Sequence, residues 1–441
     1  MEAIIVGAGP TGLFTAIALA RRGREVVVVD RDPGPPDHAE WRRRGVMQFQ
    51  HAHSFRGQVV DALNAEMPDV LAGLLSAGAS VVRTSGQNSR AAALHCRRSV
   101  FERELWRRAT SDPRIRLVEG HVTEVVVQRG RAVGIRVGAD ALDADLIIDA
   151  SGRAGRIAGA ARSRGEGADC GAAYVSRQYR LRPGARPGPM NSVIGLSLNF
   201  PGYAAVTFLH DNDTFTVTII HDGADRRLHR LRHDGVFEAA VGAIPGLADW
   251  VDSDRSLPIM PVLAGGRLYN HYRGQLDDSG RPALPGLISV GDSVCTTTPL
   301  AGRGIALAFM QASHLLRLLT GNNDDIVSVT TEFDAWCTAN IKPWFADHQV
   351  VDSDRIRRWS GGDIDLGRRL PSDLIVAAAE ADPRLTEAVA PYITMDGLPD
   401  TLLPVERRAR EIYSRGWRPT PPEGPSRQEL ISVASRTPAA A

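Results

Sequence analysis

The sequence predicts a mixed α/β fold with an α+β insertion, and three observations support this prediction. The chain opens with a strand–turn–helix–strand unit at residues 3–30, and a second strand–turn–helix unit follows at residues 287–320. Between them, from about residue 171, apolar residues recur with a period of two, as in half-buried antiparallel strands. Beyond residue 322 the apolar spacing predicts a region of several helices.

The opening unit predicts a Rossmann-like domain that binds a dinucleotide. Residues 3–6 form a continuous apolar run, typical of a parallel strand buried on both faces. Gly7, Gly9 and Gly12 follow, and such glycines permit a tight turn, close approach of a pyrophosphate and close packing of the next helix. The second apolar strand ends at Asp30, where an acid accepts hydrogen bonds from a ribose 2′-OH. This acid disfavours a 2′-phosphate, so the expected ligand is FAD or NAD. The alternative is a glycine turn that only packs a helix on a strand.

Composition describes an ordinary globular protein with no preference for nucleic acid. The 441 residues carry a net charge of +1 and are 43% hydrophobic. No apolar run reaches the roughly 18 residues that a membrane helix needs. The first strand begins at residue 3, which leaves no room for a signal peptide, so we expect a cytoplasmic location. The four cysteines form no C-x-x-C pair, which favours reduced thiols and no metal site.

Three adjacent arginines, Arg42 to Arg44, follow a proline-rich loop at residues 31–36. A run of charge usually forms a solvated face. These arginines stand just beyond the phosphate-binding turn, however, where a guanidinium fork suits a phosphate. Both interpretations stay open at this point.

The region up to residue 153 continues the first α/β unit. Ser99 is placed to cap a helix, with Glu102 at capping-box spacing. Residues 117–127 and 133–137 predict a hairpin around Arg129 and Gly130. The apolar run at 144–149 predicts a further buried strand, which leads into Asp149-Ala150-Ser151-Gly152-Arg153.

Two later segments set the ends of the predicted insertion. Residues 214–219 alternate polar and apolar without a break, and less strict alternation at 173–181, 192–199 and 203–210 completes a second sheet. Residues 287–290 then form a short apolar strand that runs into Gly291-Asp292, and a proline and two glycines precede a strongly apolar helix. This pattern predicts a second ligand-facing turn in the first domain. After Arg415 the chain is proline-rich and is expected to fray.

Three motifs, in this order and at these separations, resemble those of FAD-dependent monooxygenases with the fold of p-hydroxybenzoate hydroxylase. They are Gly7-x-Gly9-x-x-Gly12, Asp149-Ala-Ser-Gly152-Arg153 and Gly291-Asp292…Pro299-x-x-Gly302-x-Gly304. The resemblance spans roughly residues 3–320. Within this group, Arg43-Arg44-Gly45-Val46-x-Gln48-x-x-His51-x-His53 and Gly291-Asp292-Ser-Val-Cys295 look most like the epoxidase-like branch related to squalene epoxidase and the polyether epoxidases.

The resemblance implies roles for individual residues. Asp30 would hold the adenosine ribose, Arg43 and Arg98 would reach the pyrophosphate side, and Asp292 would hydrogen-bond the ribityl chain. The turn from Pro299 to Ile305 would run along the isoalloxazine. The full set implied to bind FAD is Gly7, Gly9, Thr11, Gly12, Asp30, Arg31, Arg43, Arg98, Val122 (beside the adenine), Asp292, Pro299, Gly302, Gly304 and Ile305.

The periodicity and composition along the chain also predict a division into domains. Residues 1–170 and 286–320 would form the FAD-binding domain, 171–285 the β-sheet substrate domain, 321–415 a helical C-terminal region and 416–441 a proline-rich tail.

The chain departs from the aromatic hydroxylases at several places, which weakens any claim of phenol hydroxylation. These places are Ser293-Val294, Arg303, Ala306 and Gln311.

The implied reaction inserts one oxygen atom, by hydroxylation or epoxidation, into an apolar small molecule of specialised metabolism through a flavin C4a-hydroperoxide. The protein must exclude water while this happens. Substrate candidates are Tyr174, Arg177, Phe215 and Thr297, each of which ordinary sheet packing would also explain. His53 is the candidate for a chemical role, against simple packing or capping.

Several alternatives stay open. Electrons could come from NAD(P)H bound transiently or from a separate flavin reductase, since there is no second G-x-G-x-x-G. An FAD-dependent dehydrogenase or ene reductase would keep the same motifs, and a protein that keeps FAD as a structural or sensing ligand is a non-enzymatic alternative. A flavin halogenase is disfavoured because Lys342 is the only lysine and no Trp-x-Trp-x-Ile-Pro stretch occurs. The sequence leaves the oligomeric state open.

Overall fold

The computed structural model describes residues 2–36, 41–43, 45–84, 89–153, 155, 157, 161–320 and 325–438. Arg44 of the arginine cluster lies outside these ranges. Within them, the strands form a five-stranded parallel sheet, a larger antiparallel sheet and three small sheets, and helices follow residue 325. This mixed architecture confirms the predicted fold class.

The elements are numbered in chain order. The strands are β1 (Glu2–Val6), β2 (Glu25–Asp30), β3 (Phe55–Arg56), β4 (Ser80–Arg83), β5 (Ala91–His95), β6 (Ile115–Glu119), β7 (Val122–Gln128), β8 (Arg131–Val137), β9 (Asp140–Asp143), β10 (Leu146–Asp149), β11 (Glu166–Asp169), β12 (Ala172–Leu181), β13 (Gly195–Phe200), β14 (Tyr203–Leu209), β15 (Thr214–Asp222), β16 (Ser256–Pro258), β17 (Leu263–Gly265), β18 (Tyr269–Tyr272), β19 (Leu287–Ser289) and β20 (Cys295–Thr296). The α-helices are α1 (Pro10–Arg21), α2 (Gly57–Glu66), α3 (Pro68–Ser76), α4 (Arg98–Ser111), α5 (Asp234–Gly242), α6 (Pro245–Val251), α7 (Gly304–Thr320), α8 (Ile326–Asn340), α9 (Lys342–Trp359), α10 (Ser372–Ala377), α11 (Thr386–Thr394), α12 (Leu403–Ser414) and α13 (Arg427–Arg436).

The parallel sheet brings the two glycine turns to one edge. Its strand order is β19–β10–β1–β2–β6, and every neighbouring pair is parallel. The first turn follows β1 and the second follows β19, and β10 lies between these strands. Because the carboxyl ends of parallel strands share an edge, ligands of such sheets bind in the crevice there. Strand β19 therefore joins the parallel sheet that β1 begins.

Helices α1 and α7 pack side by side on this sheet. The rings of Phe14 and Phe309 lie 4.6 Å apart between their centroids, and both side chains are fully buried. The apolar positions of α1 that the sequence indicated, such as Leu13 and Ile17, are buried in the same core. In the described ranges no helix combines the length and the apolar character needed to cross a membrane.

The antiparallel sheet has order β13–β14–β15–β12–β16, with β17 also paired to β12. One face packs against α5, α6 and α13 in a core that contains Val175, Phe215 and Trp250. The opposite face contacts the first α/β unit: Gln178 donates a hydrogen bond to the carbonyl oxygen of Gln50 at 2.7 Å. This second face is the one turned toward the glycine turns.

The expectation that the chain frays after Arg415 is wrong for residues 427–436. Helix α13 forms there, and its capping box joins the Ser426 side chain to the Glu429 backbone and the Glu429 side chain to the Ser426 backbone. Leu430, Ile431 and Ala434 are buried against the helices of the antiparallel sheet. This apolar stripe at helical spacing outweighs the prolines that precede it.

Two local predictions in the first unit also change. Ser99 does not cap α4, since Arg97 is the N-cap and the Glu102 side chain bonds Arg43 and Arg98 instead. The hairpin is confirmed as β7–β8, but the predicted arm at 117–127 is divided. Its first part belongs to β6, which extends the parallel sheet beside β2.

Candidate functional site

A cleft of about 490 Å³ crosses the carboxyl edge of the parallel sheet. Asp30 and Val122 lie on its wall, as do Asp292 and Gly304 from the other glycine turn. The cleft therefore brings together residues that are far apart in sequence. The predicted FAD-binding residues that line it are Gly7, Gly9, Thr11, Asp30, Arg31, Arg43, Arg98, Val122, Asp292, Gly304 and Ile305.

The turns that form the cleft pack directly on one another. An ideal Cβ on Gly7, whose φ is +105°, would lie 2.4 Å from the carbonyl oxygen of Ala150, in the turn after β10. An ideal Cβ on Gly291 would lie 3.2 Å from Oγ1 of Thr11. A side chain at Gly7 would push the turns apart, and the φ of +71° at Gly291 is a backbone conformation that favours glycine.

The first turn presents the start of α1 to the cleft. Gly9 is the N-cap and no side chain caps the helix, so its first N–H groups are available to a ligand. A helix start of this kind attracts phosphate through those N–H groups and the helix dipole. Gly12 supports the turn from behind, since an ideal Cβ there would stand 1.9 Å from the Gly7 carbonyl oxygen.

Asp30 has structural partners as well as a place on the cleft wall. Its carboxylate accepts hydrogen bonds from the backbone N–H of Ala8 at 2.6 Å and of Asp32 at 2.9 Å. The Arg43 guanidinium donates to the same carboxylate at 2.6 Å. An ionised carboxylate has about four acceptor sites, which leaves room for a ribose hydroxyl. The predicted ribose contact of Asp30 stays a prediction.

Arg43 is the centre of a buried ion-pair network. Its side chain is 3% exposed and pairs with Asp30, Asp32 and Glu102. Burial opposes the charged form, but the attraction of Glu102 and Asp30 outweighs it and raises the pKa of Arg43. Arg43 also donates to the Ala8 carbonyl oxygen in the first turn. Arg43 therefore holds Asp30 and the first turn in place at the wall of the cleft. Its contact with the pyrophosphate stays a prediction.

His53 holds Arg98, another predicted FAD contact. Nδ1 of His53 lies 2.9 Å from the carbonyl oxygen of His51, which can only accept, so Nδ1 carries the proton. Nε2 then accepts from Nη1 of Arg98 at 3.3 Å. Burial, and next the charge of Arg98, hold the pKa of His53 well below its usual value. This geometry supports a neutral imidazole that positions Arg98, and the chemical role of His53 stays a prediction.

A polar cluster under the cleft joins the strands that carry the turns. Oδ1 of Asp149 accepts from the Ser151 amide at 3.1 Å and the Ser293 hydroxyl at 3.3 Å, and Oδ2 accepts from the Ser289 hydroxyl at 3.3 Å. Arg162 donates to the same Ser289 hydroxyl at 2.8 Å. The sequence indicated Asp149 through its motif, but Arg162 carried no signal. Its partners are recognisable only once the strands are paired.

The second turn is shaped by residues that the sequence reading missed or marked only as departures. Gln311, about two turns into α7, accepts from the Gly291 amide at 2.9 Å. Arg56 donates to the carbonyl oxygens of Ala301 at 2.8 Å and Gly302 at 3.0 Å. These bonds turn the two carbonyls toward Arg56. Pro299 and Gly302 shape the turn, with the Gly302 amide donating to the Pro299 carbonyl oxygen at 3.0 Å.

Asp292 follows shortly after the end of β19 and lines the cleft. Burial raises its pKa, while the nearby charges of Arg98 and Arg153 oppose that shift. Two guanidiniums and one carboxylate thus face the same end of the cleft. This is a suitable setting for the polar ribityl chain that the sequence prediction assigns to Asp292.

Several buried polar atoms around the second turn have no hydrogen-bond partner among the described residues. They are Oγ of Ser54, Oγ1 of Thr297 and Nε2 of Gln311. A buried polar group left unpaired costs about 1–3 kcal/mol, so a native site with several of them is suited to a polar ligand. Together with the glycine turns and the helix starts, these groups fit FAD. The described ranges contain no group of three or more His, Cys, Asp or Glu residues suited to a metal.

The four substrate candidates divide by position. Tyr174 lies on the sheet face turned toward the turns and meets the His51 ring edge-on at 4.7 Å between ring centroids. Thr297 lies within the second turn. The structure does not bring Arg177 or Phe215 to the cleft: Arg177 pairs with Asp234 and Glu238 of α5. Phe215 stacks on Tyr179 at 5.2 Å in the helix-covered core. Alternation along a strand separates the two faces but does not say which one meets a ligand.

Comparisons with known proteins agree with this site. Residues 2–165 match the family described as FAD dependent oxidoreductase. Protein Rv3254 of Mycobacterium tuberculosis is 23% identical over 445 residues, which cover 88% of each chain. The crystal structure of PqsL, a probable FAD-dependent monooxygenase from Pseudomonas aeruginosa, covers 82% of this chain and 98% of its own at 14% identity, with a TM-score of 0.61. The flavin-dependent brominase Bmp2 covers 95% of this chain and 100% of its own at 14% identity, with a TM-score of 0.64. These structures share the fold of flavoprotein monooxygenases with this chain.

Proposed function

We propose that this chain is an FAD-dependent monooxygenase that inserts one oxygen atom into an apolar small molecule of specialised metabolism. Hydroxylation and epoxidation are both covered by this proposal. The observation that supports it best is the meeting of the two glycine turns in one cleft, under a separate antiparallel sheet. A cleft of that design holds an extended FAD with its reactive ring beside a second wall that can cover a substrate.

The residues of the chain have distinct tasks in this proposal. The start of α1 binds the diphosphate, Asp30 binds the adenosine ribose and Asp292 binds the ribityl chain. The backbone N–H groups at Gly304 and Ile305, at the start of α7, would hold the flavin ring. Bound FAD, once reduced, supplies the activation of dioxygen. The positive end of α7 favours the negative charge that reduction places on the ring.

The substrate class is argued from the sheet face above the second turn. Tyr174, Ala204 and Ile220 form a buried apolar cluster there, and Leu300 from the second turn packs against it. Such a surface excludes water from the ring, which protects oxygen transfer from wasteful decay. An apolar substrate fits this wall better than a charged one, and the likeness to the epoxidase-like branch supports the same class.

The source of electrons is proposed to be NADH or NADPH, acting directly or through a separate flavin reductase. The sequence holds one dinucleotide turn of the G-x-G-x-x-G kind, and in this proposal that turn binds FAD. A nicotinamide cofactor would therefore bind transiently at the open side of the cleft. A cytoplasmic location is part of the same proposal.

The test begins with FAD itself. Purified full-length chain should be yellow, and Asp292→Ala should bind FAD at least tenfold more weakly because the variant loses a carboxylate that faces the ribityl chain. Asp249→Ala, an exposed change on α6, which packs on the sheet face turned away from the glycine turns, is the matched control and should leave affinity unchanged. Equal FAD affinity of Asp292→Ala and the wild type would remove the role proposed for the second turn.

The reaction is tested with the FAD-loaded chain, a panel of polyene and polycyclic compounds, and NADH or NADPH with and without a flavin reductase. We expect oxygen consumption that matches product formation, and one atom of labelled dioxygen in the product. Product that forms without oxygen uptake would instead establish the dehydrogenase or ene reductase alternative. Loss of FAD reduction with every electron donor would favour a structural flavin.

A further inference from the structure

The second turn carries an arginine that points away from the cleft. Arg303 stands between Gly302 and Gly304 and is 5% exposed. Its guanidinium carbon lies 4.5 Å from the ring centroid of Trp344 in α9 and 4.3 Å from that of Tyr392 in α11. Nη1 donates to the Tyr392 hydroxyl at 3.0 Å and pairs with Asp347 at 3.4 Å. The C-terminal helices therefore hold the turn through one buried cation.

A second guanidinium supports the same turn. Besides its bonds to the Ala301 and Gly302 carbonyls, Arg56 donates to the Ile393 carbonyl oxygen of α11 at 2.7 Å. Its nitrogen atoms thus bond three backbone carbonyls, which are neutral acceptors. Burial, followed by the charge of Arg303, lowers the pKa of Arg56 to about 10, which still leaves it charged at neutral pH.

The charges behind the turn do not balance. Arg303 and Arg56 contribute two positive charges, and Asp347 contributes one carboxylate whose pKa is raised by burial. His348 lies 3.5 Å from Arg303, and burial and the neighbouring arginines hold its pKa well below the usual value, so it is neutral. In a buried setting an unbalanced charge acts over a longer distance than in water.

We infer that Arg303 and Arg56 form a fixed positive charge behind the second turn that stabilises reduced FAD relative to oxidised FAD. The inference rests on the proposed placement of the flavin ring against this turn. The C-terminal helical region then has a function in the chemistry: it holds the cation in place through Trp344, Asp347 and Tyr392. Arg303 is a positioning and electrostatic residue in this assignment, since its side chain points away from the cleft.

The experiment compares full-length FAD-loaded Arg303→Gln and Arg303→Lys with the wild type. The reduction potential is measured without oxygen against a reference dye, and the dissociation constant of oxidised FAD is measured by fluorescence. We expect Arg303→Gln to weaken binding of reduced FAD relative to oxidised FAD by about tenfold, equivalent to roughly 30 mV for a two-electron couple. Arg303→Lys keeps the charge and should keep most of the potential.

The control variants distinguish an electrostatic effect of Arg303 on FAD from a structural effect on the second turn. Arg317→Gln removes an exposed cation from α7, the helix that follows the turn, and should leave the potential unchanged. A purely structural role for Arg303 would weaken oxidised and reduced FAD equally, so an unchanged potential in Arg303→Gln would overturn the inference. An equal loss of potential in Arg303→Lys would overturn it as well. If Arg303→Gln does not fold, Arg56→Gln gives the second test, with the same direction expected and an unchanged potential as the contradicting result.

The outcome is distinguishable from failure of the proposed function. If the wild type binds FAD and Asp292→Ala loses it, the site stands whatever Arg303 does to the potential. If Asp292→Ala keeps FAD, the ring is placed elsewhere, and the role of the second turn fails before Arg303 is tested.

Discussion

Gly12 lies where the first turn of α1 passes the backbone of Gly7, and a Cβ there would stand 1.9 Å from a carbonyl oxygen. The partner is backbone, so it cannot turn aside as a flexible side chain would. We expect Gly12→Ala to displace the turn and weaken FAD binding at least tenfold, measured by fluorescence titration. Gly242→Ala, whose Cβ would meet nothing within 4 Å, is the control. Unchanged affinity in Gly12→Ala would show that the turn can shift without cost to the site.

Individual residues differ in how far the sequence alone predicts their roles. Gly7, Asp30 and Asp292 were predicted because their chemistry is tied to a local motif. Arg56 and Arg162 were missed because an arginine gains its role from carbonyls and hydroxyls that distant strands bring to it. Ser99 and Glu102 match the local pattern of a capping box, but the box does not form because Glu102 pairs with the buried guanidiniums of Arg43 and Arg98.

At the scale of elements, α13 shows what a short apolar stripe contributes. Leu430 is fully buried beside Leu228 and Phe237, although it lies in a segment predicted to fray. Leu430→Ala should lower the free energy of unfolding by about 2–5 kcal/mol, the usual range for such a cavity. Urea denaturation measures this difference, with exposed Ser435→Ala as the control on the same helix. A loss under 1 kcal/mol would mean that α13 adds little to the sheet core.

The elements divide into those with a strong local signal and those without one. Strands β1 and β2, helix α1 and helix α7 were predicted because apolar runs and glycines bound them. The alternation of β12 and β15 was predicted, but the choice of face was not, and Arg177 and Phe215 were therefore placed on the wrong side for a substrate. Which face a sheet turns to its neighbour depends on how domains pack, and no residue of the strand records it.

At the scale of the whole molecule, the cleft proposed to bind FAD is built from two distant parts of the chain. A ligand that contacts both parts should stabilise the whole fold by mass action. Free FAD at 100 times its dissociation constant should add about 2.7 kcal/mol to the free energy of unfolding, measured by urea denaturation of FAD-free and FAD-loaded chain. Asp292→Ala should lose most of this gain. Equal stability with and without FAD would contradict a cleft that spans both parts.

The contact between Phe14 and Phe309 fixes the spacing of α1 and α7. Helix α1 begins at one glycine turn and helix α7 begins at the other, so the two helices are neighbouring rods whose first residues line the same cleft. Interiors are packed as tightly as organic crystals and do not adjust freely. In the proposed site, the thickness of this buried aromatic pair would therefore contribute to the distance between the start of α1, where the diphosphate would bind, and the start of α7, where the ring would bind.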